Sequence, residues 1–147
     1  MNVYDTRTTA CIDFVKKATA RIRYIQTWLE KEEKTFNDFL SPLESSTVGN
    51  LNAAQLDAVS KEQIKLVQPQ LTTYVPMLIK VLEQLSMFKV VLNLIESYLN
   101  NQGIARFYKI FQINIPQTMN EINMVDIRIK NIYQIVKMFE NLHRQLQ

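Results

Sequence analysis

The stretch Met77-Leu-Ile-Lys-Val-Leu-Glu-Gln-Leu-Ser-Met-Phe-Lys-Val-Val-Leu-Asn-Leu-Ile-Glu-Ser-Tyr-Leu99 decides how the rest of the chain is read. Its apolar residues Leu78, Val81, Leu82, Leu85, Phe88, Val91, Leu92, Ile95 and Leu99 recur at helical spacing, which marks one face of an α-helix. Ile79, Met87, Val90 and Leu94 widen that face. A helix apolar over so much of its circumference belongs in the middle of a bundle, against several neighbours. Lys80, Glu83, Lys89 and Glu96 fall in the same stretch and are costly at a bilayer centre, so it reads as a core helix and not as a membrane span. Asn100-Asn101-Gln102-Gly103 supplies the stop, because Asn and Gly take the left-handed conformation of a helix C-cap.

Upstream, Cys11, Phe14, Ala18, Ile22, Ile25, Leu29, Phe36 and Phe39 form a second stripe, interrupted once around Glu32 and Glu33. It predicts a first helix from Asp5 or Thr6 to Leu40, about 50 Å long at ~1.5 Å per residue. Ser41-Pro42 ends it, since the residue before proline is pushed out of helical dihedrals. Residues 42–52 are rich in turn formers and predict a mobile loop. Asn52 and Gln55 have the spacing of a capping box, and a helix through Leu56, Val59, Ile64 and Val67 follows. Pro69 and Pro76 then predict a break, with Pro76 in the first turn of the central helix, where its missing N–H is harmless.

Downstream, Ile104, Phe107, Tyr108 and Phe111 predict a short amphipathic helix, with a short extended piece possible before Pro116. Ile122, Val125, Ile129, Ile132, Val136, Phe139 and Leu146 mark a last long helix beginning near Pro116 or Gln117. Two glycines and four prolines in 147 residues leave too few turn formers for a many-stranded sheet. The expected fold is therefore all-α: one domain over residues 1–147, an antiparallel up-down bundle of three long helices plus one or two shorter ones.

The charge of +3 is thinly spread, which argues against a dedicated nucleic-acid binder. Residues 1–40 hold seven Lys/Arg against six Asp/Glu, residues 41–102 four against five, and residues 103–147 six against three. Cys11 is the single cysteine, so neither an intramolecular disulfide nor a cysteine metal site can form. The opening residues lack a basic stretch followed by an apolar run, and a cytoplasmic location is the expectation.

Chemistry is thin as well. Glu140 and His143 have a Glu-x-x-His spacing, which bundle metal sites use in pairs, but His143 is the only histidine and no second pair accompanies it. Two glycines 54 positions apart cannot build a phosphate loop. No catalytic residue, metal or cofactor is expected, and the chain reads as a non-enzymatic protein. Two binding surfaces are expected instead. Trp28, Phe36, Phe39 and Leu40, near the end of the first helix, could meet a protein partner or a second copy, since aromatic residues supply interface anchors. Alternatively Lys16, Lys17, Arg21 and Arg23, with Arg106, Phe107 and Lys109, could face an anion or a membrane surface, because basic and aromatic residues interleave on interfacial helices.

Overall fold

The computed structural model describes residues 6–40, 58–103 and 108–146, with side chains at all of these except 39, 40, 58–60, 108 and 110. The described residues are almost wholly helical and contain no strand. The helices are α1 (Thr6–Leu40), α2 (Ala58–Thr72), α3 (Tyr74–Asn101), α4 (Tyr108–Phe111) and α5 (Ile115–Gln145). The predicted loop at 42–52 and the Asn52/Gln55 cap lie outside the described residues.

Local chemistry sets the helix ends. Asn114 caps α5: its side-chain Oδ1 accepts from the Gln117 N–H at 3.1 Å, while its carbonyl takes the first helical bond from Thr118 at 3.0 Å. Gly103, at φ +68°, follows α3 and donates to the Asn100 carbonyl at 3.0 Å, as the Asn100–Gly103 signal predicts. Gln112 closes α4 at φ +58°, a conformation costing a side-chain-bearing residue about 1–2 kcal/mol. The residues leading into Pro116 form no strand; α5 starts at Ile115.

The proline-bracketed break is shorter than predicted. α2 runs through Pro69 to Thr72, and Thr73 alone separates it from α3. Pro69 is exposed, so its ring lies on the solvent side of the helix. Thr73 turns the chain with both its N–H and its hydroxyl on the Gln70 carbonyl, at 3.3 and 2.7 Å. Pro76 stands in the first turn of α3, as expected.

The described chain, read as one domain from its sequence, gathers into two compact units. The first comprises Met1–Thr27 and Leu82–Asp126. Its core residues fall at intervals of seven, the spacing of a heptad seam. Thr8, Val15 and Ile22 lie on α1, Leu85, Leu92 and Leu99 on α3, and Ile115 and Ile122 on α5, all buried. A second series three residues on includes Ala18, Ile25, Phe88, Ile95, Thr118 and Val125. Each fully buried large aliphatic contributes about 1.5–3 kcal/mol. Direction follows from pairs that rise along α1 and fall along α3. Thr8 and Tyr98 hydroxyls are 3.4 Å apart, Phe14 meets Phe88 edge-on at 6.0 Å, and Arg21 donates to Gln84 at 3.1 Å. A Lys89–Asp126 pair at 4.0 Å joins α3 to α5. Thr19 donates to the Val15 carbonyl at 2.8 Å, so the 3.0 Å bond to α5 is donated by buried Thr118.

The second unit comprises Trp28–Val81 and Ile127–Gln147. Leu29 and Phe36, Ile64, Leu71 and Leu78, and Ile129 and Val136 continue the interval of seven, with Phe139 fully buried beside them. The interruption at Glu32 and Glu33 is a polar layer. Glu32 accepts a hydrogen bond from the Tyr74 hydroxyl; burial first, then this bond and the carboxylate charge, push the Tyr74 phenol above its ordinary 10.0. Glu33 pairs with Arg128, whose Nε donates to Oε1 at 2.7 Å and whose terminal nitrogen reaches the same oxygen. The all-α, antiparallel up-down bundle of three long helices with shorter pieces is the architecture observed.

Candidate interaction surface

An α-helix advances about 100° per residue, so positions two and five beyond a seam residue fall on the opposite side. With Leu85 and Leu92 fully buried, Met87, Val90 and Leu94 must therefore face outward, and they are 45%, 59% and 66% exposed. Outward positions of an amphipathic helix normally carry charge. Here every exposed residue of α3 beyond Glu83 is uncharged: Ser86, Met87, Val90, Asn93, Leu94, Ser97, Asn100 and Asn101. The first helix of the same unit does the reverse, exposing Arg7, Asp13, Lys16, Lys17, Arg21 and Arg23.

The wide apolar arc of residues 77–99 predicts neighbours on several sides. The structure corrects that for Met87, Val90 and Leu94, which no described element covers. The signal was present in the sequence as surplus apolar positions, but periodicity alone cannot separate a second buried face from a surface waiting for a partner.

The other expected site residues are placed as follows. Trp28 is half-buried in the second unit, and Phe36, 4% exposed, fills its core. Phe39 and Leu40 close α1, and their side chains lie outside the described residues. Lys16, Lys17, Arg21 and Arg23 are all exposed; Arg21 is held by Gln84 and lies over the Tyr24 ring at 5.1 Å. Arg106 and Phe107 lie outside the described residues. Lys109 is exposed and shares with Arg23 a cavity of about 240 Å³ that Thr19, Gln112, Asn114 and Glu121 also line. That cavity opens on the start of α5, but Gln117 and Thr118 have already given their N–H groups to Asn114, and Pro116 has none. Little of the helix-terminal donor set is left there for an anion.

Glu140 is held by Lys137 at 3.3 Å; this bond and charge, with Tyr133 at 5.4 Å from the ammonium, raise the lysine's pKa. Among the described residues no three His, Cys, Asp or Glu side chains gather where a metal could bind, and no helix is long and apolar enough to cross a membrane. Cys11 is half-buried on the inner side of α1. No protein family matches the chain, and none of the curated proteins or solved structures compared with it matches either.

Proposed function

We propose that the protein is a non-enzymatic helical bundle that works through helix-mediated association, with a protein partner or with itself, on the outward face of α3. The observation that carries this is the uncharged run of exposed residues from Ser86 to Asn101, with Met87, Val90 and Leu94 at its centre. Exposed apolar groups with helical spacing suit an apposed helix, which meets anchors three and four residues apart. A photo-crosslinking residue at exposed Ser97 tests it, with the wild-type background compared against Leu94→Glu. Crosslinked protein adducts should form in the wild type and disappear in the variant. Adducts of equal yield in both overturn the proposal.

A second reading rests on α1, which exposes Arg7, Lys16, Lys17, Arg21 and Arg23 against Asp13. Such a surface suits peripheral attachment to an anionic membrane, with each basic residue near the surface contributing about 1 kcal/mol. Flotation with anionic liposomes should then occur at low salt and fade at high salt. Absence of flotation at low salt removes this reading.

A further inference from the structure

We infer that the cavity walled by α1, α4 and the start of α5 is a binding site for a small acidic amino acid, its carboxylates on Arg23 and Lys109 and its ammonium on Thr118 and Glu121. Every residue of the wall belongs to the first compact unit. At about 240 Å³ the cavity is smaller than the roughly 300–1,000 Å³ pockets that enclose drug-sized ligands, so its occupant is a small molecule. The wall is polar and divided by charge. Its two cations come from α1 and α4, whereas its carboxylate and a buried hydroxyl stand three residues apart on one face of α5.

The unmet bonding capacity of the wall specifies the ligand. Among the described residues Arg23 and Lys109 have no carboxylate partner, and half-buried Glu121 has no cation. Thr118, 3% exposed, spends its hydroxyl hydrogen on Thr19, and no donor among the described residues reaches its oxygen in return. A buried acceptor beside a carboxylate calls for a donor that carries positive charge, and an ammonium has three N–H groups to divide between them. Arg23 and Lys109 call for anions. Because the N–H groups of Gln117 and Thr118 are already engaged, these side chains must hold the anions themselves. Two cations and one carboxylate are matched by two carboxylates and one ammonium, which is the charge pattern of an acidic amino acid. A plain dicarboxylate leaves Thr118 and Glu121 unmatched, and a diamine meets two like charges. Gln112, also on the wall, is held at φ +58°, and backbone strain of this kind collects where a ligand is gripped.

Titration of the isotope-labelled full chain with glutamate, followed by amide resonances, should give saturable shifts around Thr19, Arg23, Lys109 and Glu121. The dissociation constant should be on the order of 1 mM, because ion pairs with exposed side chains are individually weak. Glutarate, which lacks only the ammonium, should bind about tenfold more weakly, the worth of one charge-assisted hydrogen bond. Glu121→Gln should abolish that preference by weakening glutamate about tenfold while leaving glutarate no weaker. Arg23→Gln and Lys109→Gln should weaken both ligands. None of the three side chains is in the core, so the far-ultraviolet circular dichroism of the variants should match the wild type. Absence of saturable shifts with glutamate overturns the site. Equal binding of glutarate and glutamate, or a preference that survives Glu121→Gln, overturns the place given to the ammonium. Binding that survives Arg23→Gln combined with Lys109→Gln overturns the place given to the carboxylates.

Discussion

Replacing Leu92 and Leu94 by alanine, one at a time, measures which way α3 faces. Both are leucines two residues apart in one helix, so the change in helix propensity is the same and cancels in the comparison. Leu92 is fully buried and Leu94 is 66% exposed. Leu→Ala removes three carbon groups, about 2.4 kcal/mol at ~0.8 each for a buried side chain. The unfilled space adds to this, which brings Leu92→Ala to roughly 3–4 kcal/mol. At Leu94 only about a third of the side chain is withdrawn from water, so the same count gives less than about 1 kcal/mol. Urea unfolding followed by circular dichroism at low protein concentration reads the two shifts in midpoint, provided the slopes agree. Losses of similar size, or a larger loss at Leu94, would refute the orientation of α3 and with it the surface assigned to Met87, Val90 and Leu94.

Three more outcomes are expected. The Tyr74 phenol is raised in the folded state, so stability is intact below pH 10, falls as pH climbs through the higher folded value, and falls less in Tyr74→Phe; phenolate absorbance in the wild type and this variant identifies the late-titrating tyrosine. A double-mutant cycle on Glu33 and Arg128, both about one-third exposed, should return about 0.5–1 kcal/mol of coupling that shrinks with salt, and a coupling of zero would deny the pair any role. Asn114→Ala should destabilise by about 1 kcal/mol through loss of the α5 cap, whereas Asn114→Ser should restore most of it; thermal melts of the two variants distinguish a cap from simple side-chain packing.

The long helices were legible because packing and propensity agree over many turns. The stripes of α1 and α5 predict their limits to within a residue or two, with Ser41-Pro42 and Pro116 as punctuation. The break between Pro69 and Pro76 is shorter than the two prolines predict, since a proline on the solvent side of a packed helix is tolerated by the burial of Ile64, Val67 and Leu71. Phe36 illustrates the limit on sites. Its place on the stripe is visible in the sequence, but whether that end of the stripe is covered depends on α2 and α5 packing beside it. That Arg23 and Lys109, 86 positions apart, line one cavity needed the fold as well.

In the first unit the α3 leucines at 85, 92 and 99 form a ladder of identical rungs, all fully buried. Such a ladder is translationally degenerate: sliding α3 by one heptad lays leucine where leucine was. Hydrophobic burial therefore makes the seam strong yet nearly blind to alignment. The polar pairs break that degeneracy, because a slip separates Tyr98 from Thr8 in the first unit, and Tyr74 from Glu32 in the second. A few hydroxyls and one carboxylate thus act as an index mark, selecting one alignment among several that the leucines alone would accept.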